Sequence, residues 1–177
     1  MNRYILPVVI FILLTGMLFV GLRHDNQKFT SAYQDKMAPD FKVPDLFNDT
    51  TPSKPKLFIS KKLFKGKIIV LNFWASWCSA CYTEHPILMK LSKDQRVTMV
   101  GIAYKDSRGP ALIMLRKYGN PFKFSGLDQQ GDAGLEYGVS KVPETFIIDK
   151  KGFVRYKHLG PISWKELNFT VLPLIKK

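Results

Sequence analysis

Tyr4 to Leu22 is a stretch of nineteen residues without a charge, bounded by Arg3 on one side and Arg23-His24-Asp25 on the other. As a helix it is ~28 Å long, close to the thickness of a bilayer's hydrocarbon core. Residues 24–38 are polar and read as a tether. Pro39 to Leu46 reads as extended, because Pro39 and Pro44 exclude helix, and Leu57 to Lys65 leads on to the central strand. From Ile68 to Ala75 the pattern is almost continuously apolar, as in a strand buried on both faces. Ala80 to Ser92 predicts a helix with a kink at Pro86, and Val97 to Ala103 a second buried strand. Asp106 or Ser107 is placed to cap a helix that presents Ala111, Leu112, Leu115 and Tyr118 on one face. Phe124 to Leu127 predicts a short strand and Gly134 to Tyr137 a helical turn. Thr145 to Asp149 and Phe153 to His158 predict a hairpin around Lys150-Lys151-Gly152, and Ser163 to Ile175 a closing helix. Strands thus alternate with helices and finish in an antiparallel pair, an α/β pattern.

At 177 residues, 46% of them hydrophobic, the chain holds one domain plus extras and can bury a real core. The expected division is an anchor at 1–23, a tether at 24–38 and a domain at 39–177. The apolar amino terminus has two readings, a retained anchor or a cleaved export signal. Leu18-Phe19-Val20-Gly21-Leu22 offers no small-x-small cleavage site, which favours the anchor. Flanking charge does not orient it, since Arg3 is matched by Arg23 and Lys28. The net charge of +13 falls almost wholly on the soluble part. It reads either as attraction to anionic lipid or acidic partners or, preferred here, as a dispersed, solvated lysine surface. There is no arginine-rich stripe or aromatic nucleic-acid motif, so no nucleic-acid partner is expected.

The chain has two cysteines, Cys78 and Cys81, directly behind the apolar run. A strand that ends there delivers the first thiol to a helix start, where unpaired N–H groups and the helix dipole favour the thiolate. The second then lies one turn along. A structural zinc site needs four ligands, and His24, His85 and His158 are not paired. Haem attachment needs a histidine after the second cysteine, where Tyr82 stands. A purely structural bridge across two residues closes too small a loop to restrict the unfolded chain much. Dithiol redox chemistry remains, with no cofactor or metal expected. A dithiol domain behind an export-like segment points to the periplasm.

On Leu71-Asn72-Phe73-Trp74-Ala75-Ser76-Trp77-Cys78, Cys81-Tyr82-Thr83-Glu84-His85-Pro86 and Val142-Pro143-Glu144-Thr145-Phe146 the chain resembles the thioredoxin superfamily. More narrowly it is similar to the CcmG/DsbE family of membrane-anchored thiol:disulfide proteins in cytochrome c maturation. The resemblance covers about Ala38 to Ile175. It implies a thioredoxin-like fold, a central mixed sheet flanked by helices, with an N-terminal extension. It also implies a reductant of apocytochrome c haem-site cysteines, or of their thiol carrier, recharged by a membrane thiol reductant. Ser79-Ala80 departs from the proline usual after the first cysteine.

The resemblance implies that Cys78, at the exposed start of the helix, is the nucleophile and Cys81 the buried resolving thiol. It also makes Pro143 a cis-proline facing the disulfide and exposes the backbone of Val142 to an extended substrate. Trp77 is expected at the contact surface and Trp74 in the core. Asn72 stands where thioredoxins carry an aspartate, so Glu84 and Glu144 are the candidate proton acceptors for Cys81. His85 and His158 are expected to be structural. Three other readings stay open: a general periplasmic oxidoreductase, a copper metallochaperone using His158, and a non-catalytic apocytochrome-binding module.

Overall fold

The continuous apolar run predicts a strand covered on both sides, and the computed structural model, which describes residues 5–23, 35–48 and 58–176, has that arrangement. The chain forms two compact units, residues 1–30 and 31–177. In the first, α1 spans Ile5–Arg23. Its side chains are described for residues 5–18, about 20 Å at ~1.5 Å per residue, and they are exposed. Among the described residues no helix is long and apolar enough to cross a membrane. α1 occupies most of the stretch Tyr4 to Leu22 expected to form a transmembrane anchor, and most of the tether lies outside the described residues.

The second unit is built on a five-stranded sheet of β3 (Ile68–Trp74), β4 (Val97–Tyr104), β5 (Phe124–Asp128), β6 (Glu144–Ile148) and β7 (Val154–Leu159), in the order β5-β4-β3-β6-β7. β3, β4 and β5 are parallel, while β6 runs against β3 and β7 against β6. This is the mixed sheet of a thioredoxin-like α/β fold. All seven residues of β3 are buried. Val70 and Trp74 pack into one core cluster and Ile69, Leu71 and Phe73 into the other, which is why the run does not alternate. Two short strands outside the sheet, β1 (Lys42–Pro44) and β2 (Phe58–Ser60), pair antiparallel. Gly126 allows the β1 strand to lie against β5, since a Cβ there would sit 2.3 Å from Val43 Cγ2.

Helix α2 (Ser79–Leu91) runs unbroken through Pro86. Helix α3 (Arg108–Tyr118) buries Ala111, Met114 and Leu115, while Tyr118 is exposed and meets Tyr82 edge-on, so Met114 takes the core place expected of Tyr118. A short α4 (Asp132–Glu136) follows β5. At the end, α5 (Trp164–Glu166) passes through one π turn (Leu167–Val171) into α6 (Leu172–Ile175), not one regular helix. Pro173 there has no N–H to continue an α-helical ladder. Residues 35–38, assigned to the tether from sequence, join the domain: Asp35 N donates to Val154 O and Ala38 N to Gly152 O.

Candidate active site

At the end of β3 the chain turns through Ser76-Trp77 into α2, and four hydrogen bonds to residues outside the turn hold it. Asp106 accepts from Ser76 N at 2.6 Å and from Ser76 Oγ at 2.9 Å. Tyr82 Oη donates to Ser76 O at 2.9 Å, and Trp77 Nε1 to Lys105 O at 3.1 Å. Of the two residues expected to cap α3, Ser107 takes the N-cap position, without a side-chain cap bond, and Asp106 serves this turn instead. The signal for Asp106 was faint, a lone acid after a buried strand, and its partner lies thirty residues away.

Cys78 is the N-cap of α2 and Cys81 follows one turn on, joined by a disulfide. Cys81 N donates to Cys78 Sγ at 3.1 Å, so the first sulfur sits where the helix offers free N–H groups and positive potential. Cys78 was expected at an exposed helix start, yet it is only 6% exposed. Its Sγ lies 3.6 Å from Val142 O, in the loop before β6, and that loop helps cover it. The Val142–Pro143 bond is cis, Pro143 is buried and Val142 half-buried. Trp77 is 61% exposed beside the pair, whereas Trp74 is buried and stacks on Phe122. The structure thus brings Cys78, Val142 and Trp77 to one end of the sheet.

The two carboxylates have different surroundings. Glu84, one helical turn past Cys81, is 1% exposed. It accepts from Asn72 Nδ2 at 2.8 Å and Ile162 N at 2.9 Å. Burial outweighs these bonds and pushes its carboxyl up to about 7. Asn72 also donates to Thr145 Oγ1 at 3.0 Å, while its Oδ1 has no hydrogen-bond partner among the described residues. Glu144 is fully buried, and its Oε1 accepts from Ser140 N, Ser140 Oγ and Lys141 N. Its Oε2 pairs with Lys157 Nζ at 2.9 Å. Those contacts hold the loop that carries Val142 and Pro143, a positioning role beside the proton role expected from sequence.

The histidines stand apart. His85 Nε2 lies 3.0 Å from Gly119 O, and His158 Nδ1 3.1 Å from Glu166 Oε1. Among the described residues no three His, Cys, Asp or Glu side chains are grouped to hold a metal.

Comparison with known proteins agrees with this chemistry. The Redoxin family model matches residues 32–171. The thiol:disulfide interchange protein DsbE of Allochromatium vinosum is 37% identical over 176 residues, covering 99% of this chain and 94% of that protein. The protein of the same name in Vibrio cholerae is 38% identical over 184 residues, covering 100% and 96%. Among solved structures, a Chlorobium tepidum protein described as a DsbE thiol:disulfide interchange protein superposes with a TM-score of 0.67 at 25% identity. It covers 82% of this chain and 99% of its own.

Proposed function

The chain belongs to the Redoxin family and is a thiol:disulfide oxidoreductase, and from that premise we propose that it works as a reductant in cytochrome c maturation. The substrate is a disulfide at the haem-site cysteines of apocytochrome c, or one held by their thiol carrier. The domain sits in the periplasm, tethered to the inner membrane by α1, and a membrane thiol reductant supplies its electrons.

The supporting observation is the pairing of an N-cap cysteine with a second thiol and a buried carboxyl of raised pKa along one helix. In the reduced protein the Cys78 thiolate attacks one sulfur of the partner disulfide. That bond breaks, a Cys78–partner disulfide forms, and the partner's other sulfur leaves as a thiol after taking a proton. Cys81 then gives its proton to Glu84 and attacks Cys78 Sγ; the Cys78–partner bond breaks, the partner's second sulfur leaves as a thiolate that takes the proton back from Glu84, and the Cys78–Cys81 disulfide remains. Two electrons and two protons from the membrane reductant restore the dithiol. Trp77 and the Val142 carbonyl supply the contact surface, the latter by strand-like pairing with an extended segment. Glu144 keeps that loop in place through Ser140, Lys141 and Lys157.

The in vivo redox state of the cysteine pair tests this reading. Alkylation of rapidly acid-quenched cells should find mostly dithiol. Mostly disulfide would mark an oxidase and overturn the reductant assignment.

A further inference from the structure

Five of the exposed lysines line one end of the sheet. β3, β4, β5 and β7 all begin, and β6 ends, at the edge of the sheet opposite the disulfide. Lys65 and Lys67 precede β3, Lys123 precedes β5, and Lys150 and Lys151 form the β6–β7 turn; all five are exposed. The nearby carboxylates Asp35, Asp94 and Asp149 are already paired, Asp94 with Arg96 and the other two with Arg155. Among the described residues none of the five lysines has an ion-pair partner.

Lys150 borders three recesses at this edge. The one between the N-terminal extension and the β6–β7 turn holds about 300 Å³. Phe41, Phe64, Ile69 and Tyr137 give it an apolar interior. Lys65, Lys150 and Lys151 line it together with Asp40 and the half-exposed Met37. Cations around an apolar recess suit a surface that is anionic outside and apolar beneath. Asp35, the first described residue of this unit, also lies here, its N–H bonded to Val154 O.

We infer that this lysine edge rests on a membrane surface of anionic phospholipid, with the Cys78–Cys81 pair at the far end of the sheet. The length of β3 alone, at ~3.3 Å per residue, separates the two by about 20 Å, so the reactive sulfurs face away from the lipid. Charge attraction of this kind adds over lysines near the surface and is screened by salt. The inference deepens the anchored reading, but its test leaves α1 out, so the two fail separately.

Residues 31–177 contain both core clusters, which begin at Ala38, and therefore fold as a unit. That piece is mixed with vesicles of phosphatidylcholine alone or with half phosphatidylglycerol, and the vesicles are sedimented. At low salt, binding to the anionic vesicles should exceed that to neutral ones by about tenfold or more, and high salt should abolish the difference. Reversing Lys65, Lys67, Lys150 and Lys151 to Glu should remove it. Reversing the exposed Arg116, Lys117, Lys141 and Lys165, the same change of charge elsewhere, should preserve most of it. If the first variant loses its folded circular-dichroism spectrum, Lys→Gln at those four positions takes its place. Equal loss in both variants, or no preference for anionic vesicles, overturns the inference. Retention on poly-glutamate beads without vesicle binding would assign the edge to an acidic protein and overturn it too.

Discussion

Glu84 accepts a 2.8 Å hydrogen bond from the side-chain amide of Asn72, linking α2 to the middle of β3 in a fully buried contact. A carboxylate on the strand in place of Asn72 would put a second negative charge against the first. An amide instead donates to Glu84 and cannot titrate, so Glu84 is the titratable partner of this buried pair. It lies one helical turn past Cys81 on α2, which is the basis for proposing it as the acceptor for the resolving thiol.

That burial makes stability depend on pH. The Glu84 carboxyl titrates at about 7 in the folded protein, against 4.5 ordinarily. Above pH 4.5 the unfolded chain releases the proton while the folded protein keeps it, so stability falls as pH rises toward 7 and levels off beyond. At 1.36 kcal/mol per unit the loss is about 3 kcal/mol. Urea unfolding of the oxidised protein between pH 4.5 and 8 should show this slope, and Glu84→Gln should flatten it. Parallel curves for the two proteins would remove the buried-acid assignment.

Glu144→Gln separates positioning from proton transfer. Leaving Lys157 without its anionic partner should cost about 2 kcal/mol of stability. A proton role requires more: the pH–rate profile loses a limb. An unchanged profile, with a lower denaturation midpoint, leaves Glu144 as the support of the Val142–Pro143 loop.

Asp106→Ala should slow exchange without touching either sulfur. It removes both bonds to Ser76 and leaves the turn before Cys78 held by Tyr82 and Trp77. The expected loss is about tenfold in kcat/KM, with rescue by Asp106→Asn, which keeps one acceptor oxygen. Wild-type kinetics in the alanine variant would show that the turn needs no such support.

The anchor has its own test. Removing residues 1–24 and supplying a cleavable export signal should leave a folded domain that reduces small disulfides normally. Cytochrome c maturation should fall, because tethering raises the effective concentration of domain and electron donor. Recovery of the native chain from soluble periplasm without its first ~22 residues would make the segment a signal peptide.

What the sequence disclosed followed from local pattern. The unbroken run from Ile68 to Ala75 announced a strand covered on both faces, and the cysteines behind it announced the N-cap sulfur. The hairpin at Lys150-Lys151-Gly152 was equally legible, whereas the place of Val142 and Pro143 beside the sulfurs came from the family resemblance. Long-range contacts were not legible. Asp106 reaches back thirty residues to Ser76. The burial of Cys78, in part by a loop 64 residues on, was not foreseen either. The lysines look scattered because strand starts are scattered in sequence, and only sheet register lines them up along one edge. Residues 35–38 have no strand-like pattern, and their place against β7 comes from backbone bonds and the Asp35–Arg155 pair.

The central claim is that Cys78 attacks and Cys81 releases, on a disulfide that belongs to cytochrome c assembly. The most direct measurement is covalent trapping with Cys81→Ser in cells making c-type cytochromes, read by non-reducing gels and mass spectrometry. The account predicts a mixed disulfide from Cys78 to apocytochrome c or its thiol carrier, absent in Cys78→Ser. A trapped species in Cys78→Ser and none in Cys81→Ser would reverse the two roles. A Cys78 adduct made only with unrelated exported proteins would contradict the assignment to cytochrome c maturation.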